Sequence, residues 1–201
     1  MDINNKGKEV LDRLFKGNEN FINGISTATN RSVDTLQKFA KYQKPSLCIL
    51  TCSDSRIVPE IIFDCGIGDM FTVRTAGHTI GDNVINSVEY AVMSLKVPLV
   101  VIMGHDDCGV MEFSNEQYPE KSNEFKSFTR CLYPVIESFE ERPTNIQLSK
   151  QYAISAKKIL IENSEIIRHA VESGKLHIEK CHLGHTSGRV TSIKNVNDIA
   201  Y

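Results

Sequence analysis

Apolar residues recur at helical spacing near the amino end of the chain and then gather into short runs. From Val10 to Ile22 they share one face of a helix, which predicts an amphipathic helix in this segment. The polar stretch "NGISTATNRS" interrupts the pattern, and a second short helix is expected over residues 33–41. The runs "SLCIL", "MFTVR" and "PLVVIMG" are largely apolar, as is typical of strands buried on both faces.

Helical patterns separate and follow these three strands. A short helical turn is expected from Pro59 to Phe63, and Asp82 or Asn83 is placed to cap the helix before the third strand. Amphipathic helices are predicted over residues 122–139 and 145–173, and "KLHIEKCHLG" and "GRVTSI" indicate two more strands paired as a hairpin. This order predicts an α/β fold: a central, largely parallel β-sheet flanked by helices, with an N-terminal helical arm and C-terminal strands.

Length and composition fit one water-exposed globular domain. The 201 residues suffice for one sizeable core, which we divide into a helical arm over 1–42 and an α/β core over 43–201. A net charge of -2 favours neither nucleic acid nor an anionic membrane as a partner. The start, "MDINNKGKEV", is polar, so no signal peptide is expected, and six dispersed cysteines suggest reduced or metal-bound thiols in the cytoplasm.

Chemically active side chains follow the first and third buried strands. "CILT" runs into Cys52, and "VVIMG" runs into His105 and Cys108. In an open α/β sheet, ligands bind beyond the carboxyl ends of the strands, so we expect these three side chains to meet. Two thiolates and an imidazole match a catalytic zinc site with three protein ligands and one open position. The sequence therefore predicts one zinc ion per chain.

The stretch "CSDSRIVPE" places a carboxylate and a guanidinium directly after the first of these ligands. Asp54 is close enough in sequence to Cys52 to reach the metal's fourth position or to accept a hydrogen bond from its water. Arg56 is placed to hold Asp54 ionised through two-pronged pairing. A surface ion pair in a turn is the plainer alternative.

These segments, together with "GDMFTVRTAGH" and "SVEYAV", resemble the β-class carbonic anhydrases from about residue 10 to the end of the chain. The resemblance implies zinc ligands at Cys52, His105 and Cys108 and a catalytic dyad at Asp54 and Arg56. It implies an enzyme, a zinc-dependent lyase that reversibly hydrates carbon dioxide to bicarbonate and a proton through attack by zinc-bound hydroxide.

The resemblance also implies residues that hold the substrate. They are Gln43, Phe71, Ala76, Tyr90 and Gly109. A glycine after the second cysteine is expected to let the backbone pass close to the ligand. The loop "RTAGH" departs from the family's more frequent wording. The family implies a homo-oligomer, dimer or tetramer, in which the arm packs over a neighbouring subunit. Because the chain has no Trp, the family's allosteric bicarbonate site is not expected.

Two alternatives stay open. The same zinc site could serve a hydrolase of carbonyl sulfide or carbon disulfide, because motifs do not separate these substrates from carbon dioxide. A zinc-binding regulatory or structural module without turnover is the other, and the presence of both Asp54 and Arg56 argues against it.

A few remaining polar side chains could have separate roles. The segment "CHLGHTSG" is predicted to be a strand end and its turn rather than a second metal site; it carries Cys181, His182 and His185. His78 is expected near the mouth of the site, either as a proton shuttle or as a solvated loop residue. Cys48 and Cys65 are predicted to be core thiols, and Cys131 an apolar helix residue.

Overall fold

A computed structural model describes residues 3–118 and 126–194, and these residues form one five-stranded sheet and eight α-helices. The strands are β1 (Leu47–Cys52), β2 (Met70–Thr75), β3 (Leu99–His105), β4 (His177–Leu183) and β5 (Val190–Ser192). The helices are α1 (Ile3–Ile22), α2 (Val33–Lys38), α3 (Pro59–Ile62), α4 (Asp82–Met93), α5 (Gly109–Gln117), α6 (Lys126–Ile136), α7 (Asn145–Asn163) and α8 (Glu165–Glu172). A short 3₁₀ turn covers Ala76–His78.

The sheet has the order β2-β1-β3-β4-β5. The first four strands are parallel, and β5 is antiparallel to β4, which confirms the predicted α/β class and the closing hairpin. From β1 the chain passes to β2 on one side and then returns to β3 on the other. The carboxyl ends of β1 and β3 therefore form a topological switch point, where open α/β sheets bind their ligands.

The central strands are apolar throughout because both of their faces are covered. All six residues of β1 and all seven of β3 are buried. Leu47 and Ile49 point to the face covered by α1 and α3, whereas Cys48 and Leu50 point to the face covered by α4 to α8. This double covering accounts for the continuous apolar runs in the sequence.

The N-terminal helix packs on the sheet of its own chain. Val10 and Leu14 of α1 are buried in the cluster that contains Leu47 and Ile49. The apolar face that the sequence indicated is thus covered within one chain at Val10 and Leu14. The division into an arm over 1–42 and a core remains a prediction.

Several predicted boundaries were wrong for local reasons. The helix expected over 145–173 is two helices, because the hydroxyl of Ser164 accepts a hydrogen bond from the main-chain N–H of Ile167 at 3.1 Å and starts α8. The same hydroxyl donates to Glu89 at 2.6 Å, which ties α8 to α4. Helix α4 has Gly81 as its N-cap, so neither Asp82 nor Asn83 caps it.

Other differences concern the segment after β3 and two thiols. The apolar pattern did not predict α5, and residues 122–125 of the helix expected over 122–139 lie outside the described residues. Cys48 is buried as predicted, whereas Cys65 is only partly buried at the edge of the core.

A buried carboxylate anchors the loop that follows α1. Asp64 has a φ of 47°, and its side chain is only 3% exposed. It accepts hydrogen bonds from the N–H and hydroxyl of Thr27 at 2.8 and 2.6 Å and from the N–H of Ala28 at 3.2 Å. Burial alone raises the pKa of this carboxyl, but these bonds outweigh it and hold the pKa well below its usual range.

Replacing Asp64 with Asn is expected to destabilise the fold by about 1–3 kcal/mol, because the donors of Thr27 and Ala28 lose a charged acceptor. The folded-state pKa of Asp64 is depressed, so its contribution is present above the unfolded pKa of about 3.9 and is lost as the pH falls further. Thermal melts at neutral pH and below pH 4 test this. The gap between wild type and Asp64→Asn should narrow in acid, while the exposed control Asp12→Asn stays close to wild type. Equal melting temperatures of wild type and Asp64→Asn at neutral pH would contradict the prediction.

Candidate metal centre

Three buried side chains meet at the switch point between β1 and β3. Cys52 ends β1, His105 ends β3, and Cys108 is the residue before the first turn of α5. Their candidate ligand atoms all lie within 4.8 Å of one another, and the residues are 4%, 1% and 2% exposed. Two sulfurs and one ring nitrogen thus converge where the sequence predicted a metal site.

The hydrogen bonds of His105 fix which of its nitrogens faces the two thiols. Nδ1 lies 2.6 Å from the carbonyl oxygen of Asp106. Because a carbonyl only accepts hydrogen bonds, Nδ1 carries a proton, and in the neutral ring Nε2 then keeps its lone pair. Nε2 is buried and has no hydrogen-bond partner among the described residues. A buried lone pair of this kind fits a metal ligand whose other nitrogen is bonded to the main chain.

The sulfurs of Cys52 and Cys108 lie close together, so the two thiols hold their protons unequally. The neighbouring Cys108 lowers the pKa of Cys52, and main-chain N–H groups assist it. Those of Gly77 and Asp54 lie 3.2 and 3.4 Å from the Cys52 sulfur. The same thiol pair, together with burial, raises the pKa of Cys108. A dication fits here, because it balances both thiolates once the shared proton leaves.

Asp54 is bound to Arg56 and lies outside the group of three. The guanidinium Nε and Nη2 donate to Oδ1 and Oδ2 of Asp54 at 3.0 and 2.7 Å, and the main-chain N–H of Arg56 donates to Oδ1 at 2.9 Å. Nη2 also donates to the carbonyl of Asp107 at 3.0 Å. The guanidinium holds the pKa of Asp54 well below its usual range, so the carboxylate is ionised at neutral pH.

A second arginine supports this loop, and sequence reasoning missed it. Arg74 near the end of β2 donates to the carbonyl oxygens of Cys52 and Asp54 at 3.1 and 2.8 Å. The available signal was a charged residue in the otherwise apolar "MFTVR", at the same edge of the sheet as Cys52. Arg74 fixes the main chain on both sides of Ser53.

Two of the predicted substrate contacts lie beside the group of three. Ala76 follows Thr75, which pairs with Cys52 across the sheet, and Gly109 follows Cys108. A Cβ added to Gly109 would meet no atom within 4 Å in the described residues of this chain. Because that ligand, Cys108, is the chain neighbour of Gly109, the expected close passage of the backbone stays a prediction.

The other three predicted contacts are distant from the group in the same chain. Phe71 pairs with Cys48, which precedes Cys52 by four residues and thus lies about 13 Å along the strand. The ring of Tyr90 lies 6.0 Å from that of Phe71, and Gln43 is an exposed residue before the amino end of β1.

The structure corrects the expectation for His78. Gly77 and His78 both have positive φ, 64° and 46°, and this tight turn carries the His78 ring inward against Tyr152 of α7, with ring centroids 5.2 Å apart. His78 is 0% exposed, and burial lowers its pKa to about 3. It is neither a solvated loop residue nor placed to exchange protons with solvent.

The segment "CHLGHTSG" reaches the centre by a route that the sequence did not indicate. Cys181 and His182 lie on β4 and are buried, and His185 lies in the turn that follows. The ring of His185 packs against that of His105, with centroids 5.0 Å apart. One candidate ligand is thus held between its own strand and this turn.

Solved structures share the fold of this chain. The chain superposes with a TM-score of 0.70 at 22% identity on one of "two tetrameric beta-carbonic anhydrases" of Sordaria macrospora, covering 82% of this chain and 88% of that one. A Coccomyxa β-carbonic anhydrase in complex with acetazolamide matches with a TM-score of 0.66 at 20% identity, covering 78% and 75%. These likenesses show the fold.

Sequence comparison identifies the family. The carbonic anhydrase family model matches residues 47–190, and the chain therefore belongs to the β-carbonic anhydrase family. "Carbonic anhydrase 2" of Mycobacterium tuberculosis is 52% identical over 98 residues, 49% of this chain and 47% of that protein. The carbonic anhydrase of Mycolicibacterium smegmatis is 45% identical over 99 residues, 49% and 48% of the two chains. The chain thus spans about half the length of these curated relatives.

We predict one zinc ion per chain in purified protein, and its loss on Cys108→Ser, because a serine hydroxyl is not a thiolate ligand at neutral pH. Metal content per chain, measured by mass spectrometry, checks this. The matched control is Cys65→Ser, which alters a partly buried thiol outside the group. A Cys108→Ser protein with stoichiometric zinc would remove Cys108 from the ligand set.

Proposed function

We propose that the chain reversibly hydrates carbon dioxide to bicarbonate and a proton at a zinc centre held by Cys52, His105 and Cys108. The observation that carries this is the composition of the centre. Three residues converge on one point, while both oxygens of the neighbouring Asp54 are bound by Arg56. Family membership supports the same activity. We also propose that the whole chain is one domain of this kind.

The donor set suits a catalytic metal better than a structural one. Structural zinc sites close their coordination with four protein ligands, whereas among the described residues this group has three members. Zinc bound there would act as a Lewis acid and lower the pKa of water to about 7. This favours an enzyme over the zinc module without turnover.

In the proposed reaction, the protein's own side chains orient water and leave apolar room for carbon dioxide. Asp54 is ionised, so it acts as a hydrogen-bond acceptor for water in the site and not as a proton donor. Arg56 and Arg74 hold that carboxylate and its main chain in one position. Carbon dioxide is uncharged, and the small side chain of Ala76 next to Cys52 would leave apolar room for it.

We propose that the substrate pocket is completed by a second copy of the chain, in a dimer or tetramer. Gln43, Phe71 and Tyr90 lie too far from Cys52 in one chain to contact the same small substrate. Tyr90 is 46% exposed, so it is available to a partner. The Sordaria macrospora relative is described as tetrameric.

No observation in the described part of the chain favours carbonyl sulfide or carbon disulfide over carbon dioxide. We propose a cytoplasmic location, which the six free cysteines support because thiols stay reduced there. Among the described residues, no helix combines the length and the apolar character needed to cross a bilayer.

The hydration rate is predicted to rise through neutral pH into the mildly alkaline range, because attack on carbon dioxide requires deprotonated water. Asp54 adds no step near neutrality, since its pKa lies far below. Arg56→Ala frees the carboxylate to turn towards the two thiols, and Asp54→Asn removes the charged acceptor. Each should lower the rate about 10- to 100-fold.

Stopped-flow hydration rates against pH, with zinc content checked in each protein, test this prediction. The matched control is Arg168→Ala, which removes the arginine of a surface pair with Glu165 at 3.5 Å and should leave the rate unchanged. If Arg56→Ala and Asp54→Asn both keep zinc and the wild-type pH profile, the pair is an ordinary turn.

Shared sites predict complementation between two impaired chains. Cys52→Ser removes a metal ligand, and Gln43→Ala removes a substrate contact. In a mixed dimer, one of the two sites is intact, because it combines the metal ligands of the Gln43→Ala chain with the glutamine of the Cys52→Ser chain. Random mixing after reversible dissociation should recover about a quarter of wild-type activity per chain. Activity equal to the average of the two separate variants would show that Gln43 does not act in the partner's site.

A further inference from the structure

The main chain of His105 lies beyond the end of the pairing between β1 and β3. That ladder runs from Cys48 and Val100 to Thr51 and Met103, and β1 itself ends at the next residue, Cys52. A buried main-chain N–H without an acceptor is costly, so the ladder's end poses a problem for His105. Its N–H instead donates to the hydroxyl oxygen of Ser149 at 3.2 Å.

Ser149 reaches this position because α7 packs directly on β3. Ser149 is 0% exposed, and the contact depends on Gly104, the residue before His105. A Cβ added to Gly104 would lie 2.5 Å from the Ser149 hydroxyl oxygen and 3.3 Å from its carbonyl oxygen. Gly104 thus lets the helix approach, and Ser149 supplies the acceptor that the strand no longer provides.

We propose that Ser149 is a positioning residue of the metal centre, acting through the main chain of His105. The ring of His105 is fixed at one end by the bond between Nδ1 and the carbonyl of Asp106. The bond from Ser149 fixes the main chain from which that ring projects. Together they hold Nε2 towards Cys52 and Cys108. This inference rests on the proposed zinc site.

Thr51, on β1, also supplies a side-chain hydrogen bond at this end of the ladder. Its hydroxyl donates to the carbonyl of Met103 at 2.9 Å, at the last paired position of the ladder. Hydroxyl groups therefore bond to the main chain of β3 at two positions beside the end of the ladder. The two bonds differ in their partners, because Ser149 bonds His105, a candidate metal ligand, whereas Thr51 bonds Met103.

Zinc affinity of the metal-free protein, measured by competition with a chelator, tests the proposal. Ser149→Ala should weaken zinc binding about 10- to 100-fold, the usual effect of losing a group that orients a ligand. Gly104→Ala, which displaces the hydroxyl without removing it, should weaken binding in the same direction. The matched control is Ser114→Ala: Ser114 is also 0% exposed, but its hydroxyl has no hydrogen-bond partner among the described residues.

Two further readouts separate positioning from general stability. The visible spectrum of the cobalt-substituted protein should shift in Ser149→Ala and not in Ser114→Ala, because cobalt absorption reports ligand geometry. In the metal-free wild type, the His105 amide should exchange its hydrogen slowly, as a bonded amide does. This last measurement needs no variant to fold.

The outcomes are distinct. Zinc affinity and cobalt spectrum in Ser149→Ala equal to those of Ser114→Ala would overturn the positioning role while leaving the zinc site intact. An amide of His105 that exchanges as fast as an unstructured peptide would overturn it as well. A wild-type chain that binds no zinc would overturn the proposed site and this inference with it.

Discussion

The pairing of β1 with β3 stops at Thr51 and Met103, and the candidate centre depends on that stop. Cys52 directly follows the last paired residue of β1, and His105 lies two residues after the last paired residue of β3, where their candidate ligand atoms come together. The order β2-β1-β3 places a topological switch point at these carboxyl ends, since the chain crosses from β1 to β2 on one side and then to β3 on the other. The topology thus creates the opening, and hydroxyl groups satisfy the main chain around it.

Main-chain N–H groups and Arg56 balance the negative charges around the candidate metal centre. Two N–H groups point at the Cys52 sulfur, and Cys108 lies at the start of α5, where the helix dipole favours a thiolate. Arg56 neutralises Asp54, so a third negative charge stays away from the two sulfurs. A dication with ligands from Cys52, His105 and Cys108 is the simplest way to complete this balance.

The apolar runs predicted the parallel sheet well, because strands covered on both faces have a distinctive pattern. The motif after each central strand also indicated which side chains would meet. Other features depended on tertiary contacts that no local pattern carries. His78 was expected near the mouth of the site, but a turn with two consecutive positive φ angles carries its ring into the interior. Ser149 lies 44 residues along the chain from His105, whose main-chain N–H donates a hydrogen bond to it. The end of α7 at Ser164 was missed because a capping serine inside a long amphipathic stretch resembles any other polar position.

The central claim is a zinc centre with two sulfur ligands, and X-ray absorption at the zinc edge of the purified protein tests it most directly. We predict two sulfurs at about 2.3 Å and two nitrogen or oxygen ligands at about 2.0–2.1 Å, from Cys52, Cys108, His105 and a solvent molecule. Four sulfur neighbours would indicate a structural site. A shell of nitrogen and oxygen alone would place the metal elsewhere on the chain and contradict the account.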